Sequence, residues 1–270
     1  MSARAATPEV EAESILRLGE IVGQDRVMST LRQTIARGTL HHAMLFVGPE
    51  GVGKRSAAFA LARRLLCADV REDDACGICP ACIQTGARSH PDLRCEGFVY
   101  DEKKKEPGRI VSIEQVRAVQ AFVSGRALAG GRKIVVIEEA HALTLEAQNA
   151  LLKTLEEPPR GSLLILVCHN ASRLEPTVRS RCQRVPFSPL GARDLGAILA
   201  NRTDFSPGDA DLVSAYADGS LAFAAEPRLL REAHERVGDA LAAIERGRFP
   251  DLASAAKLLL SSTKGVPLDL

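Results

Sequence analysis

Met44-Leu45-Phe46-Val47-Gly48-Pro49-Glu50-Gly51-Val52-Gly53-Lys54 carries a short apolar run into a glycine-rich turn, and a helical stretch follows as far as Leu66. Strand, glycine loop and helix in that order make a phosphate-binding loop. Gly48 to Lys54 fits the spacing G-x-x-x-x-G-K. In such a loop the glycines let backbone N–H groups turn toward phosphate oxygens, the helix presents the positive end of its dipole, and the lysine adds a point charge. Gly48, Gly51, Gly53 and Lys54 are therefore candidate nucleotide-binding residues. The next position normally offers a Ser or Thr hydroxyl to Mg²⁺. Here it is Arg55, and Ser56 stands one place later, rotated by about 100° around the helix. The expectation is a retained fold with impaired Mg²⁺ ligation. Binding of ATP or ADP stays open, and a working site with an eccentric ligand is the competing reading.

Outward from the loop, apolar strand candidates alternate with helical stretches. Ile21 to Gly38 spaces Val27, Leu31 and Ile35 for one helical face. Leu93 to Tyr100, Lys133 to Ile137 and Leu163 to Cys168 read as strands; Asp101 to Arg109 reads as an exposed loop. Ser112 to Ser124 reads as a helix capped by Ser112, and Leu145 to Glu156 as a helix stopped by Pro158-Pro159. Such alternation predicts an α/β fold with a parallel sheet. The strand Ile134 to Ile137 delivers Glu138-Glu139 to its C-terminal edge. In a phosphate-loop site the first acid holds Mg²⁺ and the second polarises the attacking water. The first is normally Asp, so Glu138 is a second departure.

Cys67-x₈-Cys76-x₂-Cys79-x₂-Cys82 places four thiols within 16 residues, interleaved with Gly77 and Pro80. Four thiolates so spaced wrap one tetrahedral Zn²⁺ and leave no open position, which predicts a structural zinc. Iron–sulfur and free-thiol readings rank behind it. Cys95, Cys168 and Cys182 are isolated and read as buried structural thiols. Seven cysteines in all, clustered this way, argue for metal ligands before disulfides and for a reducing compartment, the cytoplasm. No apolar run approaches the length of a membrane span, and the first 20 residues hold Glu9, Glu11 and Glu13 without an apolar core. With 35 basic and 34 acidic residues the net charge is +1. That excludes a chain basic over its whole surface, so DNA contact would come from a local patch or a shared surface. Arg126, Arg132 and Lys133 are candidates for it, although a solvated face is the favoured reading of each.

Several segments together resemble one family: Val22-Gly23-Gln24, His41-His42-Ala43, Gly48 to Lys54, the four cysteines, Asn149 to Pro159 with its Leu-Glu-Glu-Pro-Pro, and Ser180-Arg181-Cys182. The set resembles bacterial DNA polymerase III clamp-loader subunits of the AAA+ class, of gamma/tau and delta prime type. The resemblance implies a hetero-oligomeric ring with gamma/tau and delta subunits that uses ATP to load a sliding clamp onto primed DNA, with no membrane role. It implies that Arg181 is an arginine finger acting in trans on a neighbour's ATP. It makes Glu139 a vestigial Walker B glutamate and puts the first sensor at Asn170, or His169. The place of the lid's sensor arginine is taken by Ala222. Damage at Arg55, Glu138 and Ala222 beside an intact Arg181 implies the delta prime type, without ATPase activity of its own. An active gamma/tau-type ATPase and a stand-alone zinc-bearing nucleic-acid-binding regulator are the alternatives. The expected organisation is a tail over 1–18, an AAA+ domain over 19–188 with the zinc insertion at 67–92, a helical lid over 189–226, and an incomplete helical collar over 227–270.

Overall fold

The protein is described here from a computed structural model covering residues 16–101, 106–129, 131–200 and 218–222. Residues 1–15 of the tail expected over 1–18, most of the lid and the segment 227–270 lie outside the described residues; Leu16 and Leu18, at the end of that expected tail, pack with the core. The strands are β1 (Ala43–Val47), β2 (Leu93–Glu96), β3 (Tyr100–Asp101), β4 (Glu106–Pro107), β5 (Lys133–Ile137), β6 (Ser162–Cys168) and β7 (Gln183–Pro186). Five of them form one sheet in the order β2-β5-β6-β1-β7, with every neighbouring pair parallel. The helices are α1 (Asp25–Ala36), α2 (Lys54–Leu66), α3 (Pro80–Gly86), α4 (Ile113–Ser124), α5 (Leu145–Glu156), α6 (Pro176–Arg179) and α7 (Ala192–Ala200).

The near-continuous apolar runs of β1, β5 and β6 are explained by burial on both faces. Side chains alternate between two cores. Met44, Phe46, Ile134, Val136, Leu163 and Ile165 pack with α1 and α2. Leu45, Val47, Val135, Ile137, Leu164 and Leu166 pack with α4, α5 and Val178 of α6. Helices on both faces of a parallel sheet make a doubly wound α/β domain, as the sequence predicts. Thr144 caps α5, its side chain accepting from Ala147 N–H, and Ser112 forms a capping box with Gln115 on α4.

Three expectations are corrected. The strand predicted over Leu93 to Tyr100 ends at Glu96, because Gly97 follows and β3 turns away to pair antiparallel with β4. The stretch Asp101 to Arg109 is thus no plain loop. Lys133 is not a solvated charge: it is buried, its ammonium 3.5 Å from the fully buried Asp92 carboxylate and 4.2 Å from the Phe122 ring centre. Asp92 also accepts from Leu128 and Ala129 N–H, so this pair closes a loop rather than meeting DNA.

The segment between α2 and β2 covers the outer side of α2. Arg63 donates to Gly77 O at 3.1 Å and Arg64 to Asp73 O at 2.9 Å. With the sheet beneath and this segment above, Ala57, Ala58, Ala60, Leu61 and Ala62 are all buried. The chain divides into two compact units, residues 1–190 and 191–270.

Candidate functional site: the carboxyl edge of the sheet

The register aligns Val47 with Cys168 and Ile137 with Leu166. The next residues of β1, β5 and β6 are Gly48, Glu138 and His169, so three loops leave the sheet side by side. Ligands of open α/β sheets bind beyond this edge. Gly48 (φ 153°) passes so close to β7 that a Cβ would run into the Phe187 carbonyl oxygen. Gly53 is left-handed (φ 88°) at the N-cap of α2, which only glycine adopts cheaply. Gln24 is buried behind the loop. Its amide donates to Val52 O at 3.2 Å and to Ser188 O at 2.7 Å, tying the loop to the end of β7. The Lys54 ammonium donates to Gly48 O at 2.8 Å and to Pro49 O. Burial lowers its pKa.

Arg55 and Glu138, the two positions that would share Mg²⁺, meet each other. Arg55 Nε lies 2.8 Å from Glu138 Oε2, and Arg88 donates to Glu138 Oε1 at 3.1 Å. Both carboxylate oxygens are therefore engaged by guanidinium groups, and the Glu138 side chain is only 15% exposed. Arg88 had no signal in the sequence. It follows α3 in a left-handed conformation (φ 53°), and its guanidinium lies 4.5 Å from the Phe59 ring centre on α2.

Beside this pair, Glu139, His141 and His169 bring donor atoms within 4.8 Å of one another. The two imidazoles are 3.7 Å apart between ring centres, and the buried His141 Nδ1 has no hydrogen-bond partner, with Glu139 Oε2 at 3.5 Å. Burial, then Glu50 and Glu138, push the Glu139 carboxyl up to about 6. Burial, then the charges of His169, Arg173 and Lys54, push His141 down to about 4. Of the two sensor candidates, His169 joins this cluster, whereas the Asn170 side chain accepts from Ser172 N–H and caps the turn Ala171–Arg173. Ala222 lies in a short turn, its N–H donating to Ser220 Oγ at 3.2 Å.

The four cysteines converge. Cys67 Sγ is 3.7 Å from Cys76 Sγ and 3.9 Å from Cys79 Sγ, and Cys76 Sγ is 3.9 Å from Cys82 Sγ. Four thiolates around one tetrahedral ion at bonds of about 2.3 Å are separated by about 3.8 Å, so the donor set fits a metal and is too wide for a disulfide. The N–H groups of Cys76, Cys79 and Cys82 point at the sulfurs of Cys67, Cys76 and Cys79 in turn. Burial opposes charge on Cys79, yet N–H donation from Cys82 and Ala68 holds its thiol down at about 6. Burial pushes Cys82 up to about 12. Cys168 is buried, and Cys95 and Cys182 are partly so.

Arg181 lies in the turn between α6 and β7. Its guanidinium donates to Thr177 O at 3.0 Å and pairs with Glu156 Oε1 at 2.7 Å, with 36% of the side chain exposed. The Ser-Arg-Cys and Leu-Glu-Glu-Pro-Pro segments thus touch through one ion pair.

A family model described as DNA polymerase III, delta subunit, matches residues 23–191 of the 270. The chain belongs to that family. Among its relatives is the DNA polymerase III subunit delta′ of Pseudomonas aeruginosa, 44% identical over 141 residues, or 52% of this chain and 41% of that protein. Subunit delta′ of Bacillus subtilis is 34% identical over 191 residues, covering 71% of this chain and 55% of that one. The gamma/tau subunit of Mycobacterium tuberculosis is 34% identical over 188 residues, 67% of this chain and 30% of that protein. The chain thus spans less than two thirds of each of these relatives. Among solved structures, the RuvB Holliday junction branch migration motor of Thermotoga maritima matches with a TM-score of 0.49 at 18% identity, covering 92% of this chain and 70% of that one. Among the described residues no helix is long and apolar enough to cross a membrane.

Proposed function

We propose that the chain is a delta prime-like clamp-loader subunit that does not hydrolyse ATP but lends Arg181 to the ATP site of a neighbouring gamma/tau-type subunit. The observation that carries the reading is an asymmetry. On the hydrolysis side Arg55 is paired with Glu138 at 2.8 Å, where a metal ion would need both positions. On the side that would serve a neighbour, Arg181 stays at the surface on a turn, tethered by a half-exposed glutamate. An exposed ion pair of this kind is worth about 1 kcal/mol or less, so a phosphate can take the guanidinium from Glu156. Family membership and the names of the relatives support the assembly reading. The partners are gamma/tau and delta subunits in a ring, the sliding clamp, and primed DNA held by the assembly, in the cytoplasm.

Cys67, Cys76, Cys79 and Cys82 hold one structural Zn²⁺ in this reading. The metal supplies order to a segment with few apolar residues, and the chain's own N–H groups stabilise the thiolates. The organisation follows the same family: AAA+ domain over 19–188, helical lid over 189–226, and collar helices over 227–270.

Reconstitution with gamma/tau and delta subunits is the test. DNA- and clamp-stimulated ATPase should fall by about tenfold or more with Arg181→Ala while the complex still assembles. Unchanged ATPase would remove the trans role. Turnover by the purified chain alone, abolished by Lys54→Ala, would favour the motor reading instead.

A further inference from the structure

The Arg55–Glu138–Arg88 cluster bears on what the phosphate loop can hold, and the argument rests on the reading of Gly48 to Lys54 as such a loop in a non-hydrolysing subunit. In an ordinary loop of this kind a neutral hydroxyl and one carboxylate share a divalent cation, which leaves a net charge of +1 beside the phosphates. Here Arg55 and Arg88 flank the Glu138 carboxylate at 2.8 and 3.1 Å. Two guanidinium groups and one carboxylate also sum to +1. The local charge is reproduced with no metal ion.

We propose that Arg55 and Arg88 stand in for the divalent cation, so that the loop takes a polyphosphate group, on a nucleotide or as free pyrophosphate, in its Mg²⁺-free form. Three features support this. Both oxygens of Glu138 are occupied, so an incoming Mg²⁺ would have to break two ion pairs to gain its one acidic ligand. Arg55 meets Glu138 through Nε, and a guanidinium carries two further amino groups in a planar fork suited to phosphate oxygens. Arg55 is the second residue of α2, at the positive end of that helix, and its side chain is 38% exposed. Mg²⁺ on the ligand would cancel charge that Lys54, Arg55 and Arg88 attract. Arg88 is a positioning residue in this arrangement: it reaches Glu138 from the end of the cysteine-rich segment, braced on Phe59.

Titration of the purified full chain with ADP and, separately, with inorganic pyrophosphate tests this, each in excess EDTA and in excess Mg²⁺, read by calorimetry. The unaltered chain should bind in EDTA at least as tightly as in Mg²⁺. Arg55→Ser restores a hydroxyl and frees Glu138 Oε2, with Oε1 still held by Arg88. It should lose about tenfold in EDTA and recover affinity when Mg²⁺ is added. Arg88→Ala should weaken binding in EDTA by a smaller factor. Circular dichroism checks folding, and Arg55→Gln serves if the serine variant is unfolded. Binding by the unaltered chain that tightens about tenfold with Mg²⁺ overturns the proposal. So does an Arg55 variant that binds like the parent in EDTA, and so does absence of binding to either ligand in both buffers. None of these outcomes touches the subunit reading, which is measured by assembly and by the neighbours' ATPase.

Discussion

Gln24 shows how one buried side chain sets the phosphate loop. It donates to the carbonyls of Val52 and Ser188, the first of these bonds buried, and a buried acceptor left unpaired costs about 1–3 kcal/mol. Gln24→Ala should therefore lower unfolding free energy by about 2 kcal/mol in urea titrations, and Gln24→Glu should not rescue it, since a carboxylate cannot donate. His141 makes a second residue-scale case. Its folded pKa of about 4 lies below its ordinary 6.5, so the neutral ring is what the fold accepts. The stability it supports is full above pH 6.5 and is lost as pH falls toward 4. Glu139 acts with the opposite sign. Its carboxyl is raised to about 6, so protonation favours the fold as pH falls through 6 toward its ordinary 4.5. Glu139→Gln removes the opposing carboxyl: in that background the fold should lose stability in thermal unfolding between pH 7 and 4, about 2 kcal/mol of it from His141, with His90 and His169, whose pKa burial also lowers, adding to the loss. Adding His141→Asn should flatten the slope.

At the scale of elements, the cysteine segment and α2 depend on one another. The segment shields the outer side of α2 and delivers Arg88 to Glu138 across the Phe59 ring. Cys79→Ser should reduce bound zinc measured by atomic emission and raise hydrogen exchange in α3 and α2. Stoichiometric zinc in that variant would contradict the ligand set. The glycine motif and cysteine spacing made both elements legible in the sequence. Their contact was not legible, because Arg88 has no periodic or motif context and its left-handed backbone is set by the packing of α3.

For the whole molecule, two cores closed on the faces of a single parallel sheet account for residues 16–190. The fragment 1–190 should retain cooperative thermal unfolding and native-like helical circular dichroism. A broad, non-cooperative melt would show that the rest of the chain is needed. The sequence by itself determined the sheet, since apolar runs of β1, β5 and β6 leave no face for water, and it determined the phosphate loop and the thiol cluster, whose chemistry is local in the chain. It missed the end of β2 and the burial of Lys133, where a single glycine and a distant carboxylate outweigh local pattern. Only the tertiary structure decided that Arg55 pairs with Glu138, that His169 rather than Asn170 joins Glu139, and that Arg181 is tethered to Glu156. The first two join residues beyond the carboxyl edge of the sheet, from the start of α2 and the loops after β5 and β6, whereas Arg181 and Glu156 meet beyond its amino edge, ahead of β7 and at the end of α5. The strand register brings them within ion-pair distance, and spacing along the chain carries no trace of it.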